Sequence, residues 1–372
     1  MTGSVEPRVF VLEAPRGLPR EVPLAQARAQ AGLAAAAPGD GPGLSAALRA
    51  QGVAAVLVSA PAATADAPRH WLDTVHARGW VTPAAGGDIE DGQLPAAWQT
   101  HLAQGHVPAD AALLAWPTLP QLSWGDQTGF AITAPAAVRS ANDLPLGLYA
   151  IVDTTAALRN VLAAGLRTVQ LRVKRPTDAD AAWTAALRRE VRDSLAAAAD
   201  HGAQLFINDH WRLAAELGAR AVHLGQEDLL ALDERGHAEF RATGLGLGVS
   251  SHAVWELCRA RSLAPLYVAC GPVWPTTTKD MPWRPQGLDN LAWWCRVADA
   301  PVVAIGGILT PEQVRLTAAA GAAGVCVLRG LGRDPQLTVA ALQQAFEQGW
   351  REAQALAGRA VARLHPTLDS GA

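Results

Sequence analysis

The chain has 372 residues, of which 50% are hydrophobic and 17% are charged, and its formal net charge at pH 7 is -3. This composition supports a large core and excludes a disordered chain, and the slightly acidic balance offers no basic surface for nucleic acid. No run of residues approaches the ~18 apolar positions of a membrane span, and the N-terminus lacks the pattern of a secretion signal. The four cysteines follow no metal-binding spacing. We therefore expect a cytoplasmic protein of two domains, without nucleic-acid or membrane partners and of unknown oligomeric state.

The sequence of residues 1–142 predicts a small α/β domain. Its strands are expected at Arg8–Leu12, Val53–Val58, Gly79–Thr82, Ala111–Ala115 and Phe130–Thr133, and its helices at Leu24–Ala36 and His70–Arg78. The segment Pro38–Gly43 lacks the lysine and hydroxyl ending of a phosphate-binding loop, so an ordinary turn is expected there. Nothing in this part indicates a particular chemistry, and Ser140–Pro145 is the expected linker.

From residue 147 the chain alternates strand and helix eight times, and most strands are continuous apolar runs of the kind found in buried parallel sheets. The expected strands are Leu148–Val152, Thr168–Val173, Gln204–Ile207, Ala221–Leu224, Leu245–Val249, Leu266–Cys270, Pro301–Ile305 and Gly324–Leu328. This count predicts a (β/α)8 TIM barrel over residues 143–350, followed by a C-terminal tail at 351–372. A doubly wound open sheet is the alternative.

Two acids follow consecutive predicted strands, Asp209 after the third and Asp228 after the fourth. Because strand ends meet at one rim of a barrel, both carboxylates should lie there. Two hard oxygen ligands without His or Cys at ligand spacing suit Mg²⁺ held together with a phosphorylated substrate. The alternative is that each acid caps the helix that follows it.

The second predicted strand carries two positively charged side chains. Because side chains alternate between the two faces of a strand, Gln170, Arg172 and Lys174 should lie on the same face. Positive charges facing the barrel interior need anionic partners. A structural salt bridge would also satisfy them, so both interpretations stay open at this point.

Further anion donors lie at the ends of later strands. Ser250 ends the fifth, and the loop after the sixth carries Thr276, Thr277, Thr278 and Lys279. Gly307 follows the seventh, and Leu328 and Arg329 follow the eighth, which is the usual phosphate region of this barrel type. One group suits a monophosphate, and the group with Arg172, Lys174, Lys279 and the two acids suits a pyrophosphate. Such a substrate pair indicates a transferase that releases pyrophosphate.

The order and spacing of six segments resemble the thiamine-phosphate synthase family. They read QLRVK, FIND, VHLGQED, GVSSH, GPVWPTTTK and AIGGI, within residues 147 to about 330. The resemblance implies that hydroxymethylpyrimidine pyrophosphate is joined to a thiazole phosphate, giving thiamine phosphate and pyrophosphate. It leaves open which thiazole phosphate form is preferred.

The resemblance also implies roles for individual residues. Contacts to the pyrimidine pyrophosphate are expected from Gln170, Leu171, Arg172, Val173, Lys174, Asn208, Ser250 and Lys279, of which Arg172, Lys174 and Lys279 are expected to be catalytic. Contacts to the thiazole phosphate are expected from Thr276, Thr277, Thr278, Gly307, Leu328 and Arg329. Mg²⁺ is expected on Asp209 and Asp228.

Two alternatives use the same barrel, namely a thiazole tautomerase and a protein that only binds thiamine phosphate. The presence of Arg172, Lys174, Lys279 and both acids disfavours the tautomerase. Arg329 departs from the family, which has a small polar residue at this position. Its side chain either grips the phosphate or points outward towards Asp334.

Overall fold

A computed structural model describes residues 7–33, 41–60, 69–84, 89, 92–125, 146–276, 282–355 and 364–368. The strand predicted at Phe130–Thr133, the predicted linker Ser140–Pro145, and Thr277, Thr278 and Lys279 lie outside these residues. Within the described residues the chain forms two compact units. The first unit draws on residues 1–131, 253–262 and 365–372, and the second on residues 132–252 and 263–364.

The first unit is built on a six-stranded antiparallel sheet in the order β2-β1-β3-β4-β5-β6. The strands are β1 Arg8–Leu12, β2 Arg20–Val22, β3 Ala55–Ala60, β4 Arg69–Thr74, β5 Arg78–Thr82 and β6 Gln121–Leu122. The helices of this part of the chain are α1 Leu24–Ala31, α2 Gly41–Ala50, α3 Gln93–Ala103 and α4 Pro108–Leu114. Its core contains Val9, Val11, Val56, Val58 and Trp71.

Two predictions for the first unit are wrong. The helix predicted at His70–Arg78 is instead a hairpin of β4 and β5, because the Thr74 hydroxyl accepts the N–H groups of His76 and Ala77 and closes a tight turn. The strand predicted at Ala111–Ala115 is instead helix α4, which begins with Pro108 at its first turn. A short apolar run does not distinguish the two structures by itself, and the proline was the available sign of a helix start. The turn predicted at Pro38–Gly43 overlaps the start of α2 at Gly41.

The second unit is a closed barrel of eight parallel strands, as predicted, and the open-sheet alternative is excluded. The strands are β7 Gly147–Val152, β8 Thr168–Leu171, β9 Gln204–Asn208, β10 Ala221–Leu224, β11 Gly246–Ser251, β12 Tyr267–Cys270, β13 Val302–Ala304 and β14 Gly324–Val327. They pair in chain order, and β14 closes on β7. Because all strands are parallel, their carboxyl ends form one rim.

Nine helices connect and follow these strands in the described part of the chain. They are α5 Thr155–Ala163, α6 Ala181–Asp200, α7 Trp211–Glu216, α8 Gln226–Leu230, α9 Glu234–Ala242, α10 Val254–Arg261, α11 Gly287–Val297, α12 Pro311–Ala319 and α13 Pro335–Ala355. Helix α13 extends into the segment predicted as a tail. Among the described residues, no helix has the length and apolar character needed to cross a membrane.

Helix α10 follows the barrel strand β11 in sequence but belongs to the first unit. Every residue from Val254 to Ala260 is buried. Oδ1 of the Asp110 carboxyl group accepts the N–H of Trp255 at 3.0 Å and so satisfies a donor of the first helical turn. Burial raises the pKa of Asp110 to about 8. The predicted assignment of all of residues 143–350 to the barrel therefore does not hold for this helix.

Candidate active site

Asp209 lies directly after β9 at the rim, in a left-handed backbone conformation with φ of 61°. Its N–H donates to the carbonyl of His223 at 3.1 Å. Its Oδ2 lies 2.5 Å from Nζ of Lys174, which follows β8. The N-cap position of α7 is His210, so Asp209 does not cap that helix. Its carboxylate is directed to the neighbouring strand end instead.

Asp228 lies in the first turn of α8, after β10, and its Oδ2 accepts the N–H of Gly225 at 2.9 Å. This oxygen therefore contributes to the cap of α8, and the metal-binding role of the same carboxylate stays a prediction. Partial desolvation raises the pKa of Asp228, and the negative charge of Asp209 raises it further, while Lys174 lowers it. The two carboxylates are thus electrostatic neighbours, and a cation near both would stabilise their charged forms.

These acids bear on whether Mg²⁺ fits the rim. Among the described residues, no group of three or more His, Cys, Asp or Glu side chains could hold a metal ion. Two carboxylates alone nevertheless suit Mg²⁺, because this ion commonly keeps several waters and completes its shell with substrate phosphate oxygens. The donor set of Asp209 and Asp228 fits that mode of binding, and the metal stays a prediction.

The substrate-binding residues predicted at and after β8 differ in their burial. Gln170 and Leu171 are buried in the barrel, and Arg172 and Lys174 are exposed past the strand end. The carbonyl of Val173 is hydrogen-bonded to His210 Nε2 at 2.8 Å. The cations thus lie at the rim rather than in the interior, where their charges are less costly to solvate. The Lys174 contact with Asp209 is the salt bridge that the sequence left as an alternative.

A hydrogen-bonded chain crosses the barrel interior. Gln170 Nε2 lies 3.2 Å from Tyr149 Oη, which lies 2.7 Å from Tyr267 Oη. Tyr267 Oη lies 2.7 Å from His223 Nδ1, and His223 Nε2 lies 2.8 Å from Ser250 Oγ. We call these five side chains the core relay.

Three members of the core relay, Tyr149, His223 and Tyr267, were missed by sequence reasoning. Each is a polar ring within an otherwise apolar strand, and that was the available signal. Burial lowers the pKa of His223 to about 4, and the charges of Asp209, Arg172 and Lys174 also act on it. The interior of the barrel is therefore electrostatically connected to the charged rim.

Asn208 ends β9 beside this charged group. Its side chain is buried, and its Nδ2 has no hydrogen-bond partner among the residues that the structure describes. A buried amide donor without a partner is unfavourable by about 1–3 kcal/mol. A ligand that accepts this hydrogen bond would remove the penalty, which agrees with the predicted role of Asn208 in binding substrate.

The predicted thiazole-phosphate residues lie after β12, β13 and β14. Gly307 has φ of 71°, and a Cβ there would lie 2.6 Å from Cβ of Trp274 and 2.8 Å from the carbonyl oxygens of Trp274 and Pro275. Glycine at this position is therefore required by the close approach of the loop that precedes Thr276. That explanation is independent of the predicted approach of an anion, which the structure leaves as a prediction.

Leu328 and Arg329 are exposed past the end of β14, and Arg329 begins the 3-10 helix Arg329–Leu331. Asp334, the alternative partner of Arg329, accepts the N–H of Gln336 at 3.1 Å. The exposed position of Arg329 is compatible with a phosphate contact at the rim.

Comparisons with known proteins concern the barrel. The family model described as Thiamine monophosphate synthase matches residues 148–331. Thiamine-phosphate synthase of Rhizobium etli is 46% identical over 189 residues, which are 50% of this chain and 87% of that relative. Thiamine-phosphate synthase of Neisseria meningitidis serogroup A is 43% identical over 206 residues, which are 55% of this chain and 96% of that relative. The solved structure of thiamine phosphate pyrophosphorylase from Pyrococcus furiosus aligns with 55% of this chain and 97% of that chain, at 25% identity and a TM-score of 0.47.

Proposed function

The chain belongs to the thiamine-phosphate synthase family, and we propose that it joins hydroxymethylpyrimidine pyrophosphate to a thiazole phosphate and releases pyrophosphate. The observation that carries this proposal is the grouping of Lys174, Asp209 and Asp228 after the neighbouring strands β8, β9 and β10. A cation paired with an acid beside a second acid is suited to a substrate that brings several negative charges and a divalent cation.

In the proposed reaction, the bond between the pyrimidine methylene carbon and the pyrophosphate oxygen breaks, and both electrons leave with pyrophosphate. The lone pair of the thiazole nitrogen then forms the new carbon–nitrogen bond. Mg²⁺ bound at Asp209 and Asp228 would neutralise part of the charge on the leaving group. Arg172 and Lys174, at the same rim, would hold the pyrophosphate by charge-assisted hydrogen bonds, and Lys279 is assigned the same task.

The pyrimidine is assigned to Gln170, Asn208 and Ser250. The unpartnered Nδ2 of Asn208 would donate to the substrate, and the buried Gln170 would border the ring. Leu171 is buried and so would contribute packing, while Val173 contributes backbone at the rim. The thiazole phosphate is assigned to the loop after β12 and to the ends of β13 and β14. These positions are Thr276, Thr277, Thr278, Gly307, Leu328 and Arg329.

The proposed reaction needs no covalent intermediate with the protein. The four cysteines are free, and burial raises the pKa of Cys295 and of Cys326 to about 12. Burial also raises the pKa values of Cys258 and Cys270, so these thiols are not activated as nucleophiles. Free thiols also agree with the cytoplasmic location that we propose.

The test uses the purified full-length chain with hydroxymethylpyrimidine pyrophosphate, a thiazole phosphate and Mg²⁺. We expect pyrophosphate and thiamine phosphate to appear in equal amounts, and chelation of Mg²⁺ to stop both. Isomerisation of the thiazole phosphate without pyrophosphate release would indicate the tautomerase instead. Binding of thiamine phosphate without either reaction would indicate a binding protein. Running the assay with the carboxythiazole and hydroxyethylthiazole phosphates separately identifies the preferred acceptor.

A further inference from the structure

The core relay joins two residues that are assigned to the pyrimidine, Gln170 on β8 and Ser250 on β11. Between them lie Tyr149, Tyr267 and His223, all buried, and each neighbouring pair is within 2.7–3.2 Å. The two tyrosines are the only tyrosines of the chain. A continuous hydrogen-bonded chain of this kind has a direction, because each hydroxyl has a single proton to donate.

The direction follows from the Gln170 end. Its Nε2 carries protons only, so it donates and the Tyr149 oxygen accepts. Among the described residues, the Tyr149 proton can be satisfied only by the Tyr267 oxygen, because Gln170 Nε2 has no lone pair to offer. Both buried hydroxyl protons therefore have an acceptor only when Tyr149 donates to Tyr267 and Tyr267 donates to Nδ1 of His223. Nδ1 therefore accepts, which places the ring proton of a neutral imidazole on Nε2. From there it is donated to the Ser250 oxygen.

This sequence of donors determines what Ser250 can offer a ligand. Because the Ser250 oxygen accepts a hydrogen bond from His223, the hydroxyl proton of Ser250 is not used in that hydrogen bond. The proton can therefore be donated to a ligand. Ser250 is only partly buried at the end of β11, whereas the other four members of the relay are buried. The unused proton is thus at the end of the relay that faces the rim.

We propose that Tyr149, Tyr267 and His223 are positioning residues that make Ser250 a hydrogen-bond donor to the substrate. The substrate atom opposite Ser250 is then a lone-pair acceptor, such as an unprotonated ring nitrogen, and an N–H or C–H group at that place is disfavoured. The inference rests on the proposed function in assigning Ser250 to the pyrimidine substrate. The proton direction itself does not depend on that assignment.

The first experiment is nitrogen NMR of the full-length, ligand-free chain labelled with ¹⁵N-histidine. The spectrum of His223→Gln identifies the His223 signals by their loss. We expect Nε2 to show the signature of a protonated ring nitrogen and Nδ1 that of an unprotonated one. In Tyr267→Phe, where Nδ1 has lost its donor, we expect a mixture of tautomers. A proton on Nδ1 in the wild-type chain would overturn the inference.

The second experiment measures binding of hydroxymethylpyrimidine pyrophosphate by calorimetry, without thiazole phosphate. Tyr267→Phe should weaken binding about tenfold, as expected for one misdirected hydrogen bond, and Tyr149→Phe should weaken it less, because the bond between Tyr267 and His223 remains. In a Ser250→Ala background, Tyr267→Phe should have no further effect, since the relay acts through the serine. Equal effects of Tyr267→Phe in both backgrounds would overturn the positioning role.

A matched control and an analogue complete the test. His237→Gln alters another buried histidine, whose Nε2 is hydrogen-bonded to the Leu229 carbonyl, and should leave pyrimidine binding unchanged. Replacing each ring nitrogen of the pyrimidine in turn by C–H should weaken binding to the wild type for one of the two analogues and have little effect in Ser250→Ala. If neither analogue distinguishes the two proteins, the donor role is wrong. If the wild type shows the expected tautomer but does not bind the pyrimidine at all, the proposed function fails and the substrate part of the inference fails with it.

Discussion

Each unit of the chain contains a cluster of hydrogen-bonded polar side chains. The two clusters differ in whether their hydrogen bonds stay within the fold or lead to the rim of the barrel. In the first unit, Ser45 Oγ contacts Trp71 Nε1 at 2.7 Å and Asp73 Oδ2 at 3.1 Å, and Asp73 is also paired with Arg49 at 3.6 Å. We call these four side chains the closed cluster, because their polar atoms are paired with one another or with neighbouring backbone, as Ser45 Oγ is with the Pro42 carbonyl at 3.0 Å. In the barrel, the core relay ends at Ser250 beside the rim. A polar cluster that closes on itself stabilises a fold, whereas one that ends at a strand end has a proton to offer a ligand.

The largest expected effect comes from removing the first unit. Because a closed barrel leaves no open sheet edge, a chain that begins at Leu144 would be expected from the sequence to fold alone. However, Val254 to Ala260 are buried in the first unit, including Trp255 and Leu257, and burial of such a large side chain contributes about 1.5–3 kcal/mol. We expect residues 144–372 to aggregate, which size-exclusion chromatography detects as loss of the monomer-sized peak or of all soluble protein. A soluble and active truncated chain would contradict this.

The charged rim of the barrel should be essential for rate and nearly irrelevant to folding. Asp209→Asn and Asp228→Asn each remove a negative charge from the proposed metal position while keeping the side-chain shape. We expect each to lower kcat/KM at least about a hundredfold, since several kcal/mol of transition-state stabilisation depend on a bound metal ion. Turnover is measured as a function of Mg²⁺ concentration. Asp233→Asn, at the N-cap of α9, is the matched control and should leave the rate unchanged.

The buried carboxyl group of Asp110 should make the stability of the first unit depend on pH. Its pKa is about 8 in the folded protein, mainly because of burial, against an ordinary value of 3.8 when unfolded. Between these values the folded chain binds one more proton than the unfolded chain. The free energy of unfolding should therefore fall as pH rises from about 4 to about 8, by at most about 1.4 kcal/mol per pH unit, and then level off.

Urea denaturation at a series of pH values measures this slope. Asp110→Asn keeps an oxygen that accepts the Trp255 N–H but does not titrate, so the slope should become shallower over the same range. A slope that is identical in the wild type and in Asp110→Asn would show that another group is responsible.

Breaking the closed cluster should lower stability without lowering activity. Ser45→Ala removes the oxygen that accepts from Trp71 Nε1 and the hydroxyl beside Asp73, which leaves buried polar atoms unsatisfied. We expect the free energy of unfolding to fall by about 1–3 kcal/mol, with kcat and KM unchanged. Thr100→Ala, which removes an exposed hydroxyl bonded to the Ala96 carbonyl, should change stability by no more than about 0.5 kcal/mol. A drop in kcat for Ser45→Ala, in protein that remains folded, would contradict the comparison.

The smallest effect is expected at Arg329. If this exposed side chain contacts the thiazole phosphate, Arg329→Ser should raise KM for that substrate about tenfold, equivalent to about 1.4 kcal/mol for a partly exposed charged hydrogen bond. The KM for the pyrimidine substrate should hardly change. Steady-state kinetics with each substrate varied in turn make the measurement. Equal changes in both KM values, or no change in either, would favour the outward orientation.

The sequence predicted the barrel better than the first unit, and the reason is physical. Buried parallel strands are continuous apolar runs at regular intervals, so β7 to β14 were recognisable without knowledge of their pairing. In the first unit, the hairpin at Thr74 depends on one side-chain hydroxyl, and the apolar run at α4 has no periodicity that separates a helix from a strand.

Within the site, the rim could be predicted and the interior could not. Polar residues directly after strands, such as Asp209 and Lys174, point to a rim through topology alone. The core relay depends on which inward-facing side chains meet across the barrel, and Tyr149 and Tyr267 are 118 positions apart in the chain. That information lies in the pairing order and register of the strands, which the sequence did not provide.

With the metal-binding role that we propose for Asp209, its left-handed backbone would set activity against backbone strain. Most residues with a side chain are strained by about 1 kcal/mol or more in this conformation, and glycine is not. Replacement by glycine would relieve this strain and at the same time delete the carboxylate that pairs with Lys174. Screening variants of this protein for heat resistance alone would not detect the lost carboxylate, so any programme of stabilisation has to select for turnover at the same time.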